Sequence, residues 1–132
     1  MQRYLRQDLC PNLKEARVAF ENTKVVVIGL GGTGSLLVRA LVGAGVSNLK
    51  IYDNDRISES NLSRQLFYKE SDLGKLKTEV TYKSLLALNK DISLDASAIA
   101  IDASLDKEQI ATIFKDCNLV IDCTDLIVYQ LY

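Results

Sequence analysis

Lys24-Val-Val-Val-Ile-Gly29-Leu30-Gly31-Gly32-Thr33-Gly34 carries the strongest structural signal in the chain. Its first five residues are a β-branched run that stops at glycine, the pattern of a central parallel strand buried on both faces. Residues 34–44 follow, rich in Leu, Val and Ala with Arg39 their one charge, and read as a helix buried against a sheet and ended by Gly43 or Gly45. Asn48-Leu-Lys-Ile-Tyr-Asp53 is then a second strand. Strand, glycine turn, helix and strand within about 30 residues make a βαβ crossover, which is parallel and right-handed in nearly all cases. The prediction is an α/β fold: a Rossmann-like, doubly wound, mainly parallel sheet flanked by helices.

The flanking sequence continues the alternation. Residues 75–88 read as a helix, 94–101 as a strand of small residues, and 106–114 as a helix with Ile110, Ile113 and Phe114 on one face. Residues 118–123 close the series as a strand. Ahead of the first strand, residues 12–21 place Leu13, Ala16, Val18 and Phe20 around a short helix, so 1–22 is expected to form an N-terminal helical arm. Pro11 is the sole proline, and neither a repeat nor a linker divides the chain, so 1–132 reads as one domain. Residues 55–74 are polar and long for a strand-to-helix connection, the kind of segment that usually carries function.

Composition narrows the options. The 132 residues carry 16 basic and 17 acidic side chains, too balanced to hold DNA, RNA or an anionic membrane by a broad field. A phosphate ligand must therefore be caught locally. Cys10, Cys117 and Cys123 are odd in number and never fall in a C-x-x-C pair, which argues against a disulfide framework and a zinc site and fits a reducing cytoplasm. Cys117 and Cys123 lie on or beside an apolar strand and read as small buried hydrophobes without a catalytic role. No apolar run is long enough to span a bilayer, and the first eight residues lack an apolar core, so neither secretion nor insertion is expected.

The glycine turn has its own chemistry. Directly after a strand and opening a helix, Gly31 lets the backbone approach a phosphate, Gly34 lets helix and strand pack tightly, and the helix amides attract the anion. Gly29 and Gly32 complete the turn. Asp53 ends the second strand about 20 residues on, the distance at which an acidic side chain meets ribose hydroxyls. The competing interpretation is a plain tight turn with a strand-capping aspartate. Taken together, turn and acid point to a nucleotide without saying which one.

Asp53-Asn-Asp55-Arg-Ile57-Ser-Glu-Ser60-Asn61-Leu62-Ser-Arg64-Gln65 narrows the choice. It resembles the D-x-D-x-[VI]-x-x-S-N-L-x-R-Q pattern of the ThiF/MoeB/HesA family and its ubiquitin-activating relatives. The resemblance extends to Arg3-Tyr4-Leu5-Arg6-Gln7, Gly74-Lys75-Leu76-Lys77 and Asp122-Cys123-Thr124-Asp125, and so covers essentially the whole chain. It implies ATP-dependent adenylation of the C-terminal glycine of a small ubiquitin-like sulfur carrier, of the thiamine or molybdopterin biosynthesis type, with release of pyrophosphate. It further implies that Asp53 holds the ribose, that Asn61 and Arg64 meet the phosphates, that Lys77 reaches the triphosphate, and that Asp125 holds Mg2+. Asp55 and Gln65 join the nucleotide-binding set. Arg6 would reach the partner subunit's site in a homodimer. Attack of a carboxylate on the α-phosphorus brings two anions together, so cations and a metal are needed on any mechanism.

Two alternatives bear on the same residues. A nicotinamide-dependent oxidoreductase would explain the glycine fingerprint and Asp53, but the chain has no histidine to pair with hydride transfer. A nucleotide-binding or dimerisation module without turnover would keep the fold, and a tRNA-modifying dehydratase branch shares the nucleotide site. The chain departs from the family pattern at Leu126, where asparagine is usual, and at Lys90, where proline is common. Family members also continue past the D-C-T-D block into a carrier-binding surface. The short length suggests a fragment, in preference to a naturally shortened homologue or a subunit completed by another chain. Residues 126–132 read as the start of an apolar helix.

Overall fold

A computed structural model describes residues 2–125; the apolar segment 126–132 and the departure at Leu126 lie outside the described residues. Four strands, β1 (Lys24–Ile28), β2 (Asn48–Tyr52), β3 (Ser93–Ser97) and β4 (Leu119–Asp122), form one parallel sheet in the order β3-β2-β1-β4. β1 is central because its Val25, Val26 and Val27 are apolar on both faces and at most 2% exposed. Register places Val25 beside Leu49 and Leu119, and Val27 beside Ile51 and Ile121.

Period-two alternation sorts the strands onto two faces. Val25, Val27, Leu49, Ile51, Leu94 and Ala96 pack with Val38 and Val42 of α3 (Gly32–Ala44) and Leu85 of α4 (Lys77–Leu88). Val26, Ile28 and Tyr52 face the other way, against Ile113 and Phe114 of α5 (Lys107–Phe114). Helices thus cover both faces, as a doubly wound sheet requires. Each fully buried Val, Leu or Ile side chain stabilises by about 1.5–3 kcal/mol.

Several boundaries differ from those expected. The helix expected over 75–88 begins at Lys77, because its approach pairs instead with the start of the long loop. Ile57 donates to the Lys75 carbonyl at 2.9 Å, Gly74 donates to the Ile57 carbonyl at 2.9 Å, and Arg56 bridges Leu76. β3 ends at Ser97, level with Tyr52 where its partner β2 ends. Gly45, not Gly43, ends α3 in the left-handed conformation, with φ 114°. The arm consists of a 3-10 turn, α1 (Leu5–Asp8) and α2 (Leu13–Asn22). No residue of α2 is fully buried and Val18 is 56% exposed, so α2 lies on the surface with Phe20 packed against the main core, while Tyr4 of the 3-10 turn is buried.

Candidate functional site

Gly29 and Cys123 leave adjacent parallel strands, β1 and β4, at the point where the chain order of the sheet reverses. That switch point is where open α/β sheets bind ligands. The two strand ends touch: Cys123 N–H donates to the Ile28 carbonyl at 2.8 Å, and a Cβ on Gly29 would sit 3.0 Å from the Cys123 carbonyl carbon. Gly29 also has φ 91°, so a side chain here would meet both backbone strain and a neighbour. Gly34 is more constrained still, since a Cβ would drive into the Gly29 carbonyl.

A cleft of about 540 Å³ opens at this point, lined by Gly29, Gly31, Gly32, Asp55, Asn61, Arg64, Gln65, Lys77 and Asp125 among others. Nine of the residues singled out in the sequence therefore converge. α3 begins at Gly32, so its first amides face the same space. Arg64 reaches the cleft on an exposed side chain that donates to the Ser60 carbonyl at 2.9 Å and lays its stem along Gly32. Asn61 is 9% exposed and shapes the loop: its Oδ1 accepts from the Ser58 N–H at 2.9 Å.

Lys77 is 5% exposed, and the carboxylate beside it is Asp55, with Nζ 3.4 Å from Oδ2. Its backbone N–H also donates to the Asp55 carbonyl at 3.1 Å. The mini-ladder between residues 55–57 and 74–77 is what brings this lysine to the cleft. A long ion pair leaves most of the ammonium's three donors available. Gln65 is 3% exposed, its Nε2 stands 3.6 Å from the Cβ position of Gly31, and its buried Oε1 has no hydrogen-bond partner. A buried carboxamide oxygen without a partner costs about 1–3 kcal/mol.

Three of the expected residues sit elsewhere. Gly34 is the packing glycine beneath the turn. Asp53 does not line the cleft; its Oδ2 accepts from the Leu30 N–H and its Oδ1 from the Asp55 N–H, both at 2.7 Å. Arg6 is exposed on the arm, at the opposite end of α3 from the turn. Gln7 Nε2 donates to the Ala44 carbonyl at 2.9 Å, and Tyr4 packs under Gly45 and Arg17. The 13 residues of α3 separate arm and turn by about 20 Å. Sequence reasoning missed Tyr68, whose hydroxyl donates to the Leu30 carbonyl at 2.7 Å. Burial pushes this phenol well above its ordinary range, keeping the donor proton in place. Cys123 is partly buried, and burial together with Asp122 raises its thiol. Among the described residues no three metal-ligating side chains cluster, and no helix is long and apolar enough to cross a membrane.

The pattern of the ThiF family spans residues 4–132. The chain belongs to the ThiF family. Among ThiF-family relatives, the molybdopterin-synthase adenylyltransferase of Escherichia coli (strain K12) is 33% identical over 126 residues, 95% of this chain and 49% of that protein. The adenylyltransferase and sulfurtransferase UBA4 of Vanderwaltozyma polyspora is 36% identical over 126 residues, 94% of this chain and 28% of that one. The chain thus spans about a quarter to a half of the length of these relatives. The crystal structure of E. coli MccB with ATP superposes with a TM-score of 0.73 at 32% identity, covering 87% of this chain and 32% of that one. E. coli tRNA N6-threonylcarbamoyladenosine dehydratase, TcdA, gives 0.86 at 22% identity over 98% of this chain and 52% of that one, a likeness of fold alone.

Proposed function

We propose that this chain is the nucleotide-binding part of an adenylyltransferase that activates the C-terminal glycine carboxylate of a small ubiquitin-like sulfur carrier with ATP, releasing pyrophosphate. The observation that carries the reading is the convergence of Gly31, Gly32, Asn61, Arg64, Gln65, Lys77 and Asp125 on one switch-point cleft. Relatives named as adenylyltransferases, 33% and 36% identical, support the same chemistry.

In this reading the glycine turn and the first amides of α3 receive phosphate oxygens, and Asp53 holds the turn in place from beneath through Leu30 and Asp55. A carrier carboxylate oxygen bonds to the α-phosphorus as the bond to the pyrophosphate oxygen breaks. Arg64 and Lys77 offset the charge that gathers on both sides of that phosphorus. Mg2+ commonly keeps several waters and takes one or two carboxylates plus substrate phosphates, and Asp125 in the cleft lining fits as such a carboxylate. Bound there, the ion would neutralise polyphosphate charge. Arg6 lies too far from its own cleft, which supports a homodimer in which it serves the partner's site.

Calorimetric titration with ATP and Mg2+, then with NAD, tests the nucleotide choice without a carrier. ATP should bind and NAD should not, and Arg64→Ala should weaken ATP about tenfold or more through loss of a charge-assisted contact. Binding of NAD in place of ATP would sink the proposal.

A further inference from the structure

Tyr68 lies outside the cleft, yet it holds the turn that forms the cleft floor. It is 6% exposed, and its hydroxyl lies 2.7 Å from the Leu30 carbonyl oxygen and 3.3 Å from Thr81 Oγ1. A phenol has one proton. If Tyr68 donates to Leu30, Thr81 must donate to Tyr68, and the hydrogen bonds run in one direction, from α4 through Tyr68 to the glycine turn. Aligned chains of this kind reinforce each other.

The other end of the same residue is also held, because Leu30 N–H donates to Asp53 Oδ2 at 2.7 Å. Asp53 Oδ1 then accepts from Asp55, and Asp55 pairs with Lys77, one turn before Thr81 on α4. The circuit closes on itself: Thr81, Tyr68, Leu30, Asp53, Asp55, Lys77.

The Leu30 carbonyl and the Gly31 N–H belong to one planar trans peptide, so they point in opposite directions. With the carbonyl held inward by Tyr68, the Gly31 N–H is turned the other way, toward the cleft that Gly31 lines. Without the hydroxyl, that peptide loses the bond on its own carbonyl and is held only through its neighbours, the Leu30 N–H on Asp53 and the Gly31 carbonyl on Ser35. We infer that Tyr68 is a positioning residue for nucleotide binding, aiming the Gly31 amide at a phosphate through the Leu30 carbonyl. This inference rests on the nucleotide reading above.

Tyr68→Phe removes the hydroxyl and keeps the ring. It should weaken ATP binding about three- to tenfold, the worth of one buried hydrogen bond. Amide exchange at Leu30 and Ser35, whose N–H groups donate to Asp53 Oδ2 and to the Gly31 carbonyl, should also quicken in the unliganded protein. Ile113→Val, on the far face of the sheet, should lower Tm without changing either quantity. Unchanged affinity and exchange in Tyr68→Phe, or equal losses in Ile113→Val, would overturn the inference. If the unaltered chain binds no ATP the nucleotide reading fails, and turn exchange in Tyr68→Phe still decides whether the hydroxyl holds the peptide.

Discussion

Gly34 and Gln65 shape the glycine turn and its cleft in opposite ways. Gly34 is buried beneath the turn because a Cβ would strike the Gly29 carbonyl, which is backbone and has little room to yield. Gly34→Ala should cost at least the upper end of the about 1–3 kcal/mol typical of overpacking, read as a fall in the denaturant midpoint. ATP affinity should fall with it, since relief of the clash displaces the turn. Gln65 carries the opposite imbalance, a buried Oε1 left without a partner at the wall of the cleft. Such orphans are rare in native proteins, and a donor or water entering the cleft would satisfy this one. The motif marked Gln65 for the site, but the burial of its Oε1 is a product of the folded packing around it.

Elements were legible where periodicity and a terminating residue agreed. β1 and α3 are bounded by Gly29 and Gly45, and α5 by Asp106, whose carboxylate accepts from the Gln109 N–H at 2.8 Å while Gln109 returns a bond to the Asp106 N–H at 2.9 Å. Asp106→Ala should destabilise by about 1 kcal/mol, seen as a lower Tm, and should leave ATP binding intact because α5 packs on the face away from α3 and α4. The start of α4 was not legible. Leu76 and Lys75 suit a helix, yet they pair with Arg56 and Ile57, a contact between segments far apart in the chain. That non-local ladder carries Lys77 to Asp55.

At the scale of the whole molecule, the arm raises the question of what completes the site. Tyr4 and Gln7 fasten the arm to the far end of α3 and leave Arg6 exposed about 20 Å from the turn. If Arg6 serves a partner's cleft, Arg6→Ala and Arg64→Ala chains should each bind ATP weakly, and their mixture should regain tight binding at a fraction of sites. No recovery after subunit exchange, verified by mass spectrometry of the mixture, would remove the trans assignment. The α/β class, the order of elements and the glycine turn follow from local chemistry, β-branched runs and helical spacing, while most of the site residues follow from the resemblance of short motifs to a family pattern. The placement of Asp53 beneath the turn, the Lys77–Asp55 pair, the Tyr68 hydroxyl on Leu30 and the distance of Arg6 from its own cleft depend on which strand ends meet and which face each helix covers. Those are long-range contacts between segments whose separate patterns carry no record of one another.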